Sequence, residues 1–186
     1  MNLIEIIAAI IALLGVLLTA RSSILGWPLG IVGAGLYSYI FIHSVLYAEG
    51  VLQSLYVIFG IYGWWSWNKT TNSKKLGVVK RLGSRMLILS FLSWILASIL
   101  CGWFLDNYSQ SEVPYLDSIL AVGGLLTTYL LAKKYLQNWL FWIAIDLVSA
   151  TLFFQRELYA TSVLYIAFAA MAIHGYFHWK KELELT

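Results

Sequence analysis

Charge is scarce in this sequence. Only 11% of its 186 residues are Asp, Glu, Lys or Arg, against roughly 25% in a soluble domain, while 61% are hydrophobic and the mean hydropathy is +0.79. A chain so poor in charge needs lipid as its solvent. Cysteine is nearly absent: Cys101 stands alone inside an apolar run. An intramolecular disulfide and a cysteine-built zinc site are therefore excluded, and Cys101 reads as a small core residue. Proline occurs twice, Pro28 and Pro114, each near the start of an apolar run, where a helix tolerates it. No phosphate-binding loop, metal-ligand cluster or nucleophile–base pair is visible. An enzyme is not expected, nor is a cofactor. Lys74, Lys75, Lys80 and Arg81 are better explained by membrane orientation than by nucleic acid.

What is present is length and apolarity. A span takes about 20 mostly apolar residues. Seven runs meet this, about 3–20, 25–42, 50–67, 86–105, 115–132, 138–155 and 158–178. The first has no basic segment before it, only Asn2 and then Glu5, so it reads as a retained helix and not a signal peptide. With seven spans, eleven of the twelve Lys/Arg fall on one side; only Arg156 falls on the other, where Glu49, Asp106, Glu112, Asp117 and Glu157 collect. Cytoplasmic loops carry the Lys/Arg excess, so the N-terminus is expected outside and the C-terminus in the cytoplasm.

The sequence also repeats. Shifted by 112 positions, residues 3–69 lie over residues 115–181 without a gap. Identical pairs include Leu13/Leu125, Trp27/Trp139, Ile31/Ile143, Leu46/Leu158, Tyr47/Tyr159, Gly63/Gly175, Trp67/Trp179 and Lys69/Lys181. A repeat of this kind in an apolar chain predicts two homologous helical units enclosing a site. The expected fold is an all-α membrane protein with seven transmembrane helices in a 3+1+3 arrangement. Residues 3–69 form the first triple-helix repeat, 70–114 a cytoplasmic linker and linker helix, and 115–181 the second repeat. The unpaired fourth helix restores direction, so the two repeats are parallel.

Three constellations could carry chemistry. Asn138, Trp142 and Asp146 stand at i, i+4 and i+8 on the sixth run, with Trp139 and Ser149 close to that face. Asp146 is the only acid within the expected membrane core; a charge there costs about 2.5–3.5 kcal/mol on insertion scales and commonly marks a pathway or a ligand counter-ion. The plainer alternative is a buried acid bonded to a neighbouring helix, or simply protonated. On the third run, Gln53, Tyr56, Gly60, Gly63, Trp64 and Trp67 form a helical stripe. Such stripes are often packing or interfacial belt, but Gln53 and Tyr56 lie deeper, and a buried amide needs partners. His174 on the seventh run replaces Tyr62 and reads as a core histidine or a proton relay. Gly26 and Gly30 are spaced for close helix packing.

The halves differ informatively. Asp146 faces Ala34 across the repeat, Asn138 faces Gly26, Trp142 faces Gly30 and Gln53 faces Tyr165. A small asymmetric ligand would be held mainly by one half, with Asp146 toward a cationic group and rings stacking on a flat one.

The stretches LQSLYVIFGIYGWWSW and KKYLQNWLFWIAIDLVSATLFFQRELYATSVLYIAF resemble the PnuC family of vitamin transporters, similar in fold to SWEET sugar transporters. The resemblance implies uptake of a B-vitamin by facilitated diffusion across a bacterial inner membrane, as a homotrimer. Gln53, Tyr62, Trp64, Asn138, Trp139 and Trp142 match the family's site pattern, whereas Gly60 and Asp146 stand where the nicotinamide riboside type resembles Asn. The YGWWSW run is similar to the thiamine branch, so thiamine is the favoured substrate, with nicotinamide riboside or riboflavin as alternatives. A channel in which Asp146 selects cations in an open pore, or a membrane scaffold subunit, are readings of another class.

Overall fold

Lipid offers no partners to a bare peptide group, so a spanning segment must bond its backbone internally. Each apolar run accordingly folds as a helix. A computed structural model describes residues 3–43, 47–71, 79–109, 111–157 and 159–185. The helices are α1 Leu3–Ala20, α2 Gly26–His43, α3 Tyr47–Thr71, α4 Ser84–Tyr108, α5 Pro114–Ala132, α6 Asn138–Gln155 and α7 Tyr159–Glu184. They reproduce the seven runs, with α3, α4 and α7 longer than expected. Among the described residues the extended backbone amounts to one isolated bridge, Lys80 to Tyr135. Helices α4, α5 and α6 are long and apolar enough to cross a membrane, and Ile6–Ala20 of α1 is a shorter apolar stretch. Tyrosine, tryptophan and polar residues dilute the hydropathy of α3 and α7. The linker lysines Lys74 and Lys75 and the repeat pair Leu46/Leu158 lie outside the described residues.

Neighbouring helices pack in order, α1 on α2, α2 on α3, α4 on α5, α5 on α6 and α6 on α7, and two further contacts, α3 with α5 and α1 with α7, close the bundle. A shift of 112 residues carries α3–α5 onto α7–α1. The local geometry obeys the same shift. Helix α1 ends with Ser22 at φ 56° and α5 with Lys134 at φ 58°. Around both, the amide two positions past the helix reaches back to the last turn: Ser23 N–H to Leu18 O, and Tyr135 N–H to Leu130 O. These are paired Schellman ends, each made with a left-handed non-glycine residue.

Each turn delivers a tryptophan. Trp27 and Trp139 open α2 and α6 and are 4% and 1% exposed. The Trp27 ring occupies the space that a side chain at Gly63 would fill, and a Cβ at Gly175 would lie 2.8 Å from Trp139 Cδ2. Trp27 meets Trp67 edge-on at 5.5 Å, Trp139 meets Trp179 edge-on at 5.3 Å, and Trp67 meets Trp179 at 5.9 Å. Four indoles thus form one chain running from one repeat into the other. Farther along, Ser38 Oγ donates to Gly50 O at 3.0 Å, and Ser162 Oγ donates to Ala150 O at 2.8 Å. The same crossing is bridged in both halves, from opposite sides.

Glycine pairs set two other approaches. Gly26 and Gly33 bring α2 onto Gly15, Thr19 and Ala12 of α1, as the Gly26/Gly30 spacing anticipates. Gly102 and Gly123 receive Tyr115 and Trp94, so α4 is seated on α5, and Trp94 Nε1–H also donates to Ile119 O at 2.9 Å. The far side of α4 shows Ile88, Leu89, Leu92, Leu96 and Leu100, a surface suited to lipid. Cys101 is half-buried.

Filling the indole seats tests this packing. Gly63→Ala and Gly175→Ala should each cost about 1–3 kcal/mol by overpacking. Gly30→Ala, whose Cβ would meet nothing within 4 Å, should stay within about 1 kcal/mol of the parent. Thermal unfolding in detergent reads both; equal melting of Gly63→Ala and Gly30→Ala would remove the indole seat from its structural role.

Candidate functional site

A helical stripe at i, i+4 and i+8 places Asn138, Trp142 and Asp146 on one face of α6, and that face is turned inward. Asn138 is fully buried and Asp146 is 4% exposed. Opposite them, Tyr56 of α3 and Trp142 converge on Gly124 of α5: a Cβ there would fall on the Tyr56 hydroxyl and 3.6 Å from Trp142 Cη2. Tyr165 of α7 and Tyr56 both interact electrostatically with the Asp146 carboxylate and with each other, and Tyr37 of α2 interacts with Tyr165. Five helices, α2, α3, α5, α6 and α7, therefore contribute to one polar, ring-lined cluster inside an apolar bundle. Among the described residues no side chain hydrogen-bonds or ion-pairs with Asp146. Asn138 Nδ2 donates to Tyr135 O at 2.7 Å, while its Oδ1 is buried without a partner. A carboxylate and an amide oxygen left open in a low-dielectric setting are costly unless something else completes them.

The structure separates the remaining sequence candidates from this cluster. Gly60 is a packing residue: its missing side chain makes room for Ile31 of α2. Trp139 is core, wedged over Gly175 beside Trp179. Trp64 is 45% exposed on the outer side of α3. His174 is likewise on an exposed face, nine residues and half a revolution from Tyr165, where it stacks on His178 at 6.1 Å. It is too far around α7 to relay a proton to Asp146. Gln53 is half-buried on α3, one turn before Tyr56. Tyr62 belongs to the end of the bundle where α1, α3, α5 and α7 finish.

That end is densely bonded. Tyr62 stacks on Tyr129 at 6.1 Å, and Lys133 Nζ lies 5.3 Å above the Tyr62 ring and 5.8 Å above Tyr129. Ser66 Oγ donates to Ala132 O at 3.2 Å. On the other seam Ser22 Oγ donates to Glu182 at 2.7 Å and Trp179 Nε1–H donates to Thr19 O at 3.3 Å. Lys134 Nζ sits 4.4 Å over the Trp67 ring, and burial pushes its ammonium below the ordinary lysine range, with Glu182 acting against the shift. The linker joins in. Lys80 pairs with the α5–α6 turn through Lys80 N–H to Lys134 O and Leu136 N–H to Lys80 O, and the Gln137 amide bonds both the N–H and the C=O of Leu82. The bundle is thus tied shut at its basic end, below the ring-lined cluster.

Tyr37 and Gly124 have no place among the sequence candidates. Their only trace is in the repeat, where Tyr37 pairs with Ser149 and Gly124 with Ala12. A groove of about 310 Å³ between Leu116 of α5 and Leu147, Val148, Thr151, Leu152 and Gln155 of α6 carries no charged side chain. It opens beside Leu147 and Val148, which face outward. No three His, Cys, Asp or Glu side chains among the described residues are placed to hold a metal ion.

The family model described as nicotinamide mononucleotide transporter matches residues 2–181. The chain belongs to this family. It is 26% identical over 201 residues to the nicotinamide riboside transporter PnuC of Escherichia coli (strain K12), covering 95% of this chain and 84% of that one. It is 23% identical to the riboflavin/roseoflavin transporter RibM of Streptomyces davaonensis, over 94% of this chain and 83% of that one. The crystal structure of the vitamin B3 transporter PnuC shares its fold, with a TM-score of 0.79 over 98% of this chain and 82% of that chain, at 21% identity. The family's members are transporters, and the apolar helices make this chain a multi-pass membrane protein. A preference for thiamine finds no support among these relatives; nicotinamide riboside and riboflavin are the substrates their names carry.

A ligand-free site built around an unpaired carboxylate should hold back stability. Asp146→Asn should raise the melting temperature of the empty protein by the equivalent of about 1–2 kcal/mol. An unchanged or lower midpoint would mean that the carboxylate is already satisfied.

Proposed function

We propose that this protein is an importer of nicotinamide riboside across the bacterial inner membrane, by facilitated diffusion. The observation that carries the reading is the buried Asp146, without a side-chain partner among the described residues and flanked by Tyr56, Trp142 and Tyr165. Nicotinamide riboside presents a flat, permanently cationic pyridinium ring. An acid buried beside aromatic rings matches both its charge and its flat shape, and ring–cation contacts strengthen when desolvated. Asn138 and Gln53 are amide-bearing side chains suited to the carboxamide and ribose hydroxyls. The relatives named for nicotinamide riboside support this choice.

Riboflavin is the second reading, supported by the Streptomyces relative and by the number of rings around the cluster. It is uncharged, so Asp146 would have little to do. That difference separates the two.

The repeat supports two triple-helix units that rock about the cluster, with the Lys/Arg-rich end in the cytoplasm and the N-terminus outside. On this reading the bonded seams α3–α5 and α1–α7 form the cytoplasmic gate. Subunit assembly as a trimer is part of the proposal.

Calorimetry on the purified protein with nicotinamide riboside, riboflavin and thiamine checks the substrate. Nicotinamide riboside should bind, and Asp146→Asn should weaken it about tenfold, the equivalent of about 1.4 kcal/mol. Riboflavin binding that is indifferent to Asp146→Asn would favour the second reading, and preference for thiamine would overturn the first. The gate is checked separately. Ser66→Cys with Ala132→Cys, in a Cys101→Ala background, should on oxidation stop uptake into proteoliposomes, and reduction should restore it. Undiminished uptake with the cross-link fully formed would show that this seam does not open.

A further inference from the structure

Glycine is disfavoured inside a helix relative to alanine, yet α5 carries two in succession, Gly123 and Gly124, both buried. They face different neighbours. A side chain at Gly123 would meet Trp94 of α4, with Cβ 2.7 Å from Cζ2. A side chain at Gly124 would meet the Tyr56 hydroxyl and lie 3.1 Å from Tyr56 Cζ and 3.6 Å from Trp142 Cη2. The first glycine serves the scaffold. The atoms nearest to the second belong to the two rings that border Asp146. In the first repeat the same position is Ala12, which closes on Gly33 of its own half. The gap at 124 is thus specific to the half that carries Asn138, Trp142 and Asp146.

We infer that Gly124 is a positioning residue of the site: by carrying no side chain it lets the Tyr56 hydroxyl rest on the α5 backbone beside Trp142, and so sets where the Tyr56 ring stands against a flat heterocyclic ligand. The inference rests on the proposed vitamin site. A methyl group at 124 would displace the Tyr56 ring from this place and disturb its contact with a ring ligand. The oxygen of Tyr56 and the methyl of an alanine at 124 compete for one space, so removing the first should make room for the second.

The test compares ligand affinity and melting temperature between the parent and four variants, using nicotinamide riboside as the probe and riboflavin alongside it. Gly124→Ala should weaken binding at least about tenfold. Tyr56→Phe combined with Gly124→Ala should bind better than Gly124→Ala alone, returning to the level of Tyr56→Phe. Gly123→Ala, which crowds α4, should lower the melting temperature and leave affinity close to that of the parent. Unchanged affinity in Gly124→Ala, or a double variant no better than it, would overturn the inference. Should Gly124→Ala not fold, the double variant is set against Tyr56→Phe: equal affinity supports the shared space, and a further loss overturns it. A parent protein that binds neither vitamin would defeat the proposed function and this inference with it, whereas binding with no response at 124 defeats the inference alone.

Discussion

Four indoles resting on two glycines organise this bundle. Trp27 over Gly63 and Trp139 over Gly175 fix how closely α2 approaches α3 and α6 approaches α7. Trp67 and Trp179 then join the two pairs at 5.9 Å. Each link depends on a local event upstream. The left-handed residue at Ser22 or Lys134 reverses the chain, the next helix opens within a few residues, and its second residue is the tryptophan. A turn, a ring and a missing side chain act together, and the sequence repeats all three at the same spacing. Large aromatic surface buried at this point supplies the dispersion contacts that helix association in lipid must rely on.

The symmetric frame carries an asymmetric interior. In the first repeat Gly15, Gly26 and Gly33 let α1 and α2 close on one another. The second repeat puts Thr127, Asn138 and Ile145 in those positions. Their bulk is buried, so α5 and α6 are held apart where α1 and α2 meet. Beside this crossing, Trp142 from α6 and Tyr56 from the other repeat meet at Gly124. Helix α5 is the pivot, since Gly123 takes α4 on one side while Gly124 takes α3 on the other. The linker reinforces this bias: Leu82 and Lys80 are bonded to the α5–α6 turn, so α4 and its lead-in segment travel with the second repeat.

Helix placement was legible because apolar length and charge sorting are one-dimensional properties, and all seven runs became helices, with α3, α4 and α7 running past the apolar stretch. The inward face of α6 was legible too, because a stripe at i, i+4 and i+8 needs only the helical period. The α3 candidates fared differently for a geometric reason. Gly60, Tyr62 and Trp64 share a motif but point at α2, at α5 and outward, and no motif says which neighbour a given angle will meet. His174 illustrates the same limit, lying half a revolution from the ring that enters the site. Gly124 and Tyr37 matter only through crossings between helices far apart in sequence. The comparison of the halves nonetheless marked Tyr165 against Gln53, and Tyr165 does approach Asp146.

Chemistry around Asp146 fits a carrier better than a tight binder. A buried cation fully enclosed by charged hydrogen bonds would be held too firmly to be released on the far side. On the proposed reading one carboxylate supplies the attraction and rings supply the rest, a combination whose strength depends on how well water is excluded. Asp146 and Trp142 ride on one helix and stay together through any movement of the repeats. Tyr56 comes from α3, across a seam that is also bonded at the basic end by Tyr62, Ser66 and Lys133. Opening that seam would withdraw Tyr56 from Gly124 and admit water to the carboxylate, weakening the hold on a cationic ring at the moment an exit appears. On the proposed reading, the gate and the affinity are therefore set by the same pair of helices.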